Sequence, residues 1–198
     1  MMKAITSLTA LVLGATLATS AMAQTEAAPD SPDAETAEAQ GSDGQSAAEG
    51  AHVLANGQST EAVEMTDGRW RNDEGIPTFK VEDGVVDFAT FNGFRRYHAE
   101  CHVCHGPDGE GSTYAPALKE SVLRMDYYDF MEVVASGRQG TNSVMPAFGT
   151  NKNVWCYIDD IYTYLVAHGT ETIGRGRPAE RADKPEEYTA LEDSCMEM

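Results

Sequence analysis

The chain has 198 residues, with 32 Asp or Glu against 14 Lys or Arg and a formal net charge of −18 at pH 7. This acidity argues against a nucleic-acid ligand, because phosphate repels it, and favours attraction to a basic partner. Solubility alone is an equally simple reason for the charge. The length suits one ordinary domain, but both ends of the chain differ from core material in composition.

Residues 1–23 have the pattern of a secretory signal peptide. Met1-Met2-Lys3 provides a positive start, residues 4–20 are almost wholly apolar or small, and Ala21-Met22-Ala23 offers a cleavage site. An uncleaved anchor is the alternative, because about 20 apolar residues can span a bilayer. The small residues at its end favour cleavage, so we expect a periplasmic protein that is attached to the membrane only if the segment stays uncleaved.

Residues 24–67 form a second unusual segment. They include ten acidic residues and no Lys, Arg, Phe, Tyr or Trp. Such a segment buries too little apolar surface to offset the entropy of ordering, so it is predicted to be an acidic disordered linker. The folded domain is then expected over residues 68–198, which hold 13 basic and 22 acidic residues.

The first ordered elements are predicted to be a hairpin and a helix. Apolar runs at 78–81 and 85–88 flank Asp83-Gly84, a pair that suits a tight turn. From Phe88 onward, aromatic residues recur at helical spacing toward Cys101, which indicates a helix that enters the CHVCH stretch.

Two further helices are expected after a loop over residues 106–117, which is rich in glycine and proline. Asp126 has the spacing of an N-capping residue, and Gly137 closes this second helix. The third helix has an apolar face of Val154, Ile158, Ile161 and Leu165 and stops at Gly169.

The opposite side of the third helix carries Cys156, Asp159, Asp160 and Thr163 and is predicted to be polar and open to cover by the charged C-terminal tail. The charged, proline-bearing residues 170–198 are predicted to form an extended arm.

The CHVCH stretch, Cys101 to His105, admits three chemical interpretations. A thioredoxin-like motif would need a preceding strand, which the sequence does not indicate. A zinc site would need two more ligands, which Cys156 and Cys195 or the other histidines could supply, but the sequence lacks a second close pair. Covalent haem attachment requires C-x-x-C-H, in which Cys101 and Cys104 form thioethers and His105 binds iron. All five positions fit, and they predict haem c.

The second axial position of the iron is expected to be filled by Met145. It stands forty residues after His105 in a loop, and Pro146 directly after it restricts the backbone. An ordinary apolar loop residue is the alternative. Other candidates fit the position less well: Met125, Met131, His98, His102 and His168. His/Met ligation saturates the iron and favours electron transfer, whereas an open iron site would indicate a haem enzyme or gas sensor.

Two supporting features are predicted around this centre. The Pro116 carbonyl follows at a distance suited to orient the ring of His105. Once haem takes its two thiols, Cys156 and Cys195 are left to form a disulfide in an oxidising compartment, with a free, buried Cys156 as the alternative.

Several stretches of the chain resemble the methanol-metabolism-related c-type cytochromes. They are FNGFRRYHAECHVCHGPDG, STYAPAL, DFMEVVASGRQG, NSVMPAFG, and NVWCYIDDIYTYL with its GRGRP tail. This family comprises the cytochrome c-L and XoxG-type electron acceptors of pyrroloquinoline quinone (PQQ) methanol dehydrogenases. The resemblance covers about residues 84–185.

The resemblance implies an all-α class I cytochrome c fold with one haem, a small N-terminal β-hairpin and an extended C-terminal arm. It implies that the first and third helices cross near Gly93, Tyr97 and Tyr164. It also places Arg138 and Trp155 near a haem propionate. The alternative is that both are ordinary packing residues.

By the same resemblance, the protein is not an enzyme but a carrier. It would accept electrons one at a time from a PQQ methanol dehydrogenase and pass them to a downstream cytochrome or oxidase. The alternative donor is another periplasmic dehydrogenase or a respiratory complex.

Overall fold

The computed structural model describes residues 50–141 and 143–197; the predicted signal peptide and residues 24–49 of the predicted linker lie outside them. The α-helices of this part are α1 Phe88–Glu100, α2 His102–His105, α3 Leu118–Ser121, α4 Tyr127–Ser136, α5 Lys152–Trp155, α6 Ile158–Gly169 and α7 Glu186–Glu197. Its strands are β1 Glu64–Thr66, β2 Arg69–Arg71, β3 Val81–Glu82, β4 Val85–Val86, β5 Arg138–Gln139, β6 Val144–Met145 and β7 Glu180–Arg181. Within these ranges, no helix has the length and apolar character needed to cross a membrane.

The predicted hairpin and first helix are confirmed. Strands β3 and β4 pair antiparallel on either side of Asp83-Gly84, and Gly84 has a positive φ of 79° that the turn requires. Asp87 follows at once as the N-cap of α1, and its carboxylate accepts from the Thr90 backbone N–H at 2.9 Å. The hairpin therefore leads directly into the helix.

The core forms where α1 crosses α6 at Gly93. A Cβ at this position would lie 1.8 Å from the carbonyl oxygen of Asp160, so only glycine permits the approach. Tyr97 and Tyr164 are fully buried beside the crossing, with ring centroids 5.6 Å apart. The crossing implied by the family resemblance is confirmed.

The predicted third helix is α6, and the C-terminal arm covers its polar face as predicted, so that Asp160 and Thr163 are buried. The Asp160 carboxylate accepts from Arg69 Nε at 2.7 Å and from Asn92 Nδ2 at 2.8 Å, and also from the hydroxyl of Tyr188. Residues before α1 and residues of α7 therefore cover the face that helical periodicity marked as polar.

The Asp160–Arg69 pair carries its charges in the interior. Burial alone would lower the pKa of the Arg69 guanidinium, but the Asp160 carboxylate raises it above the usual value. Burial raises the pKa of Asp160, and the donors on Arg69, Tyr188 and Asn92 oppose that effect. Since every partner donates to it, Asp160 is best described as an ionised carboxylate.

Residues 50–67 were predicted to belong to a disordered linker, but in the structure they pack on the domain. Leu54 is buried in the core, the Gln58 side chain accepts from the Tyr162 hydroxyl at 3.2 Å, and the Thr60 carbonyl accepts from the Thr78 hydroxyl at 2.8 Å. One buried leucine and a few specific hydrogen bonds suffice to order a segment whose composition resembles that of the leader before it.

The sequence predicted an extended C-terminal arm, but part of this arm is helical. Strand β7 pairs parallel with β4, which places Val86 opposite Arg181. The chain then forms α7, and Tyr188 on this helix is fully buried against Asp160. The arm is therefore part of the domain core.

Replacing Gly93 by alanine should lower the free energy of unfolding by about 3 kcal/mol, the upper end of the usual overpacking cost, because the new methyl group must force the two helices apart. Denaturant unfolding of the holoprotein measures this change. Gly174→Ala is the matched control, since nothing lies within 4 Å of a Cβ there. Similar losses in both variants would contradict the crossing.

Asp160→Asn should lower the free energy of unfolding by about 3–5 kcal/mol. The new amide NH2 would face the buried donors that now bind the carboxylate, and the Arg69 charge would be left unpaired. The same substitution at the exposed Asp129 should cost less than about 1 kcal/mol. Thermal and denaturant unfolding of the two variants can be compared directly. If Asp160→Asn lowers the free energy of unfolding no more than Asp129→Asn does, Asp160 does not have a central structural role.

Candidate functional site

The CHVCH stretch forms a single tight turn at the end of α1. The Cys101 carbonyl accepts from the backbone N–H groups of Cys104 at 3.2 Å and His105 at 3.1 Å. Cys101 is half-buried, Cys104 is exposed and His105 is buried; neither cysteine forms a disulfide. One turn of chain thus presents two thiols and an imidazole together.

The ring of His105 is oriented by a backbone carbonyl. Its Nδ1 lies 2.9 Å from the Pro116 oxygen, so Nδ1 must carry the proton and Nε2 is left with its lone pair. Gly111 allows the loop to approach this closely, because a Cβ there would lie 2.8 Å from the Ala117 nitrogen. The structure therefore brings together His105 and Pro116 as the sequence predicted and leaves Nε2 suited to bind a metal.

Met145 lies in a short antiparallel hairpin, where β6 pairs with β5 and Arg138 stands opposite Met145. Gly137 starts the hairpin with a φ of 73°, and a Cβ there would meet the Met145 carbonyl at 2.5 Å. The neighbouring Val144 is 69% exposed, whereas Met145 is half-buried against the core. The hairpin thus turns the thioether inward and its neighbour outward.

Several apolar side chains on or near the elements of this site are incompletely covered. Leu118, Met145, Phe148 and Cys101 are only partly buried although they pack against the hydrophobic core. Each lies on or next to an element that carries a predicted haem residue. Two cysteines outside any disulfide, an oriented imidazole and an incompletely covered apolar surface suit covalent haem c.

The two other interpretations of C-x-x-C suit the structure poorly. Burial, reinforced by Glu100 and Cys104, raises the pKa of the Cys101 thiol to about 12, whereas redox-active C-x-x-C motifs lower it. The two further cysteines are not free to bind zinc, because Cys156 and Cys195 form a disulfide. In the described ranges no group of three or more His, Cys, Asp or Glu is placed to hold a metal ion.

The remaining predicted site residues occupy separate positions. Arg138 is exposed on β5, and Trp155 is half-buried at the end of α5, next to the disulfide. The disulfide joins Cα atoms 5.7 Å apart and ties α7 to the start of α6. The structure thus places Arg138 beside Met145 and Trp155 at the disulfide.

A set of hydrogen bonds that sequence reasoning missed holds the loop after CHVCH. The Tyr97 hydroxyl donates to the Gly106 carbonyl at 2.6 Å, and the Tyr164 hydroxyl donates to Asp108 at 3.0 Å. Asp108 is buried with a positive φ of 57°, and it also accepts from the Gly176 N–H at 3.1 Å. The signal was the Asp-Gly pair after Pro107, which suits a left-handed turn.

Comparisons with known proteins agree with this geometry. A family model described as cytochrome c oxidase, cbb3-type, subunit III matches residues 89–165. The chain is 64% identical to cytochrome c-553I of Paracoccus denitrificans over 155 residues, which are 76% of this chain and 69% of that protein. It is 41% identical to cytochrome c-555 of Methylococcus capsulatus over 102 residues, covering 51% of this chain and 76% of the relative.

The fold has a close match among solved structures. The crystal structure of c-type cytochrome XoxG from Methylobacterium extorquens AM1 superposes with a TM-score of 0.66 at 53% identity, covering 69% of this chain and 86% of that chain. The chain therefore belongs to the c-type cytochromes, and it carries covalently bound haem c. Within them it is of the XoxG and cytochrome c-L type that its sequence resembles. The class I cytochrome c fold is confirmed, with short strands added to the helices.

Replacing both Cys156 and Cys195 by serine should lower the stability of the holoprotein by about 4 kcal/mol, the entropic value for a loop of about 40 residues. The haem absorption spectrum should not change, because neither residue lies in the CHVCH turn. Hydrogen exchange should show earlier opening of α7 than of α1. Loss of less than about 1 kcal/mol, or simultaneous opening of both helices, would contradict a stabilising clamp at this position.

Proposed function

We propose that this protein is a periplasmic monohaem electron carrier that accepts electrons from a PQQ methanol dehydrogenase and passes them to a downstream cytochrome or oxidase. The observation that carries the choice of donor is the 53% identity to XoxG over 86% of that chain. Cytochromes of the XoxG and cytochrome c-L type, which this sequence resembles, are the acceptors of such dehydrogenases. The signal-peptide pattern of residues 1–23 supports the compartment.

In this proposal the CHVCH turn holds the cofactor. Cys101 and Cys104 form the thioethers, and His105 binds the iron through Nε2. The haem supplies reversible one-electron exchange at its iron. The Pro116 carbonyl, 2.9 Å from Nδ1, fixes the tautomer of His105 and makes the imidazole a stronger ligand.

Met145 is proposed as the second axial ligand. Its hairpin with Arg138 and the following Pro146 restrict the backbone, so the thioether can be delivered with little loss of conformational freedom. A methionine there excludes small molecules from the iron and raises its potential, which suits a carrier rather than an oxygen-activating enzyme. Arg138 and Trp155 are proposed to lie on the propionate side, where a cation and an indole N–H suit carboxylates.

The surface of the carrier supports transient docking. Val103, within the CHVCH turn, is 73% exposed, and Val144, next to Met145, is 69% exposed. Apolar side chains at such positions provide short-range contact, while the acidic charge of the chain attracts a basic partner from a distance. A two-electron alcohol oxidation would then reduce two molecules of this protein in succession.

Stopped-flow mixing of the oxidised holoprotein with methanol-reduced PQQ methanol dehydrogenase tests the proposal. We expect reduction that is at least about tenfold faster than with an unrelated periplasmic dehydrogenase at equal concentration. The rate should fall as salt rises, because charge attraction accelerates encounter.

Equal rates with the unrelated dehydrogenase would contradict the proposed donor. A preference for another dehydrogenase or for a respiratory complex would assign the carrier to that donor instead. Reduction of the haem by dithionite in the same preparation is the control that shows an intact carrier.

A further inference from the structure

A cleft of about 250 Å³ lies between α1 and the segment that contains β7, and none of its lining residues belongs to the CHVCH turn. Phe88, Phe91, Phe94 and Arg95 of α1 line one side, and Arg177 and Arg181 line the other. No acidic side chain is among these six residues, in a chain of net charge −18. Three arginines therefore line one cleft of a chain in which acidic residues outnumber basic ones.

The three arginines of this cleft lack the carboxylate partners that four other arginines have; within the described residues Arg124 and Arg138 form no ion pair either. Arg69, Arg71, Arg96 and Arg175 each lie within 4.0 Å of a carboxylate. In the described ranges no ion pair is formed by the arginines of the cleft, and only Arg181 donates a side-chain hydrogen bond, to the Ala182 carbonyl at 3.0 Å. Like charges held together without counter-ions repel each other, and a bound anion would relieve that cost.

The aromatic side chains position two of the guanidinium groups. Arg177 lies 5.2 Å above the Phe91 ring, and Arg181 lies 5.3 Å from the Phe88 ring and 5.5 Å from that of Phe91. Stacking on a ring holds the guanidinium but uses none of its five N–H donors. Those donors are available for a planar acceptor such as a carboxylate, which arginine binds with two parallel hydrogen bonds.

The cleft is also built on fixed backbone. Strand β7 pairs with β4, with Val86 opposite Arg181, and the Ala182 N–H donates to the Val86 carbonyl at 2.8 Å. Since α1 begins right after β4, this pairing sets the distance between the arginines of the arm and Arg95 on the helix. All three arginines are exposed, but a cluster on fixed backbone loses less entropy on binding than one on mobile backbone would.

We propose that this cleft binds a small aromatic anion with two or more carboxylates. Three arginines with free donors call for more than one carboxylate, and the phenylalanine lining calls for a planar apolar body. The volume is below the roughly 300–1,000 Å³ of drug-sized ligand pockets, which favours a small molecule over a polypeptide segment. The site is independent of the haem and of the proposed electron donor.

Calorimetric titration of the full, haem-loaded chain with isophthalate, an aromatic dicarboxylate, tests the proposal. We expect saturable binding, with amide NMR shifts confined to residues 88–95 and 177–182. The double variant Arg177→Gln/Arg181→Gln should bind about tenfold more weakly or worse. Arg124→Gln is the matched control, because Arg124 is also exposed and has no ion pair within the described part of the chain; its affinity should equal that of the wild type.

Ligand analogues separate the two parts of the recognition. Benzoate, with one carboxylate, and the saturated cyclohexane dicarboxylate should each bind several-fold more weakly than isophthalate. The proposal is wrong if isophthalate does not saturate, if sulfate binds as well, or if Arg124→Gln weakens binding as much as the double variant does. It is also wrong if removal of residues 24–49 is needed before isophthalate binds, because the acidic leader would then be the occupant.

Discussion

The close approach of Gly93 and Asp160 is the constraint on which the rest of the structure depends. Without a side chain at residue 93, the backbone of α1 can touch the Asp160 carbonyl. The carboxylate of the same aspartate accepts hydrogen bonds from Arg69, Asn92 and Tyr188. One residue of α6 therefore joins the segment before α1, α1 itself and α7, and burial of its charge is compensated only when all three partners are in place.

The position of the CHVCH turn depends on this contact between α1 and α6. Tyr97 and Tyr164 lie beside the contact, and their hydroxyls hold Gly106 and Asp108, just beyond the CHVCH turn. These bonds determine where the loop to Pro116 begins, and hence where its carbonyl meets His105. The geometry of the cofactor site is thus a consequence of helix packing several residues away, which accounts for the burial of two tyrosines in so small a core.

Much of the fold could be predicted because its signals are local. The side chains of Asp87 and Asp126 cap helices by accepting from backbone N–H groups two or three residues further on. The pair Asp83-Gly84 forms its own turn, and the C-x-x-C-H motif lies within five positions. The burial of Asp160 could not be predicted in this way. Its partners stand 91 residues before it, at Arg69, and 28 residues after it, at Tyr188, so no window of sequence contains them together.

The two ends of the domain were misjudged for a related reason. Residues 50–67 have the composition of a disordered leader, and their order depends on long-range contacts such as that between Gln58 and Tyr162. The helix α7 did carry a signal, since Pro185 precedes it and Tyr188, Leu191 and Cys195 recur along one face. The density of charge in residues 170–198 concealed that stripe.

The central proposal is a closed, six-coordinate haem held by His105 and Met145. The red absorption spectrum of the oxidised protein tests it most directly, through the weak charge-transfer band that methionine ligation to iron produces. The account predicts that the band is present in the wild type, disappears in Met145→Ala and persists in the matched variant Met131→Ala. A wild-type spectrum without the band, or a band that survives in Met145→Ala, would contradict it.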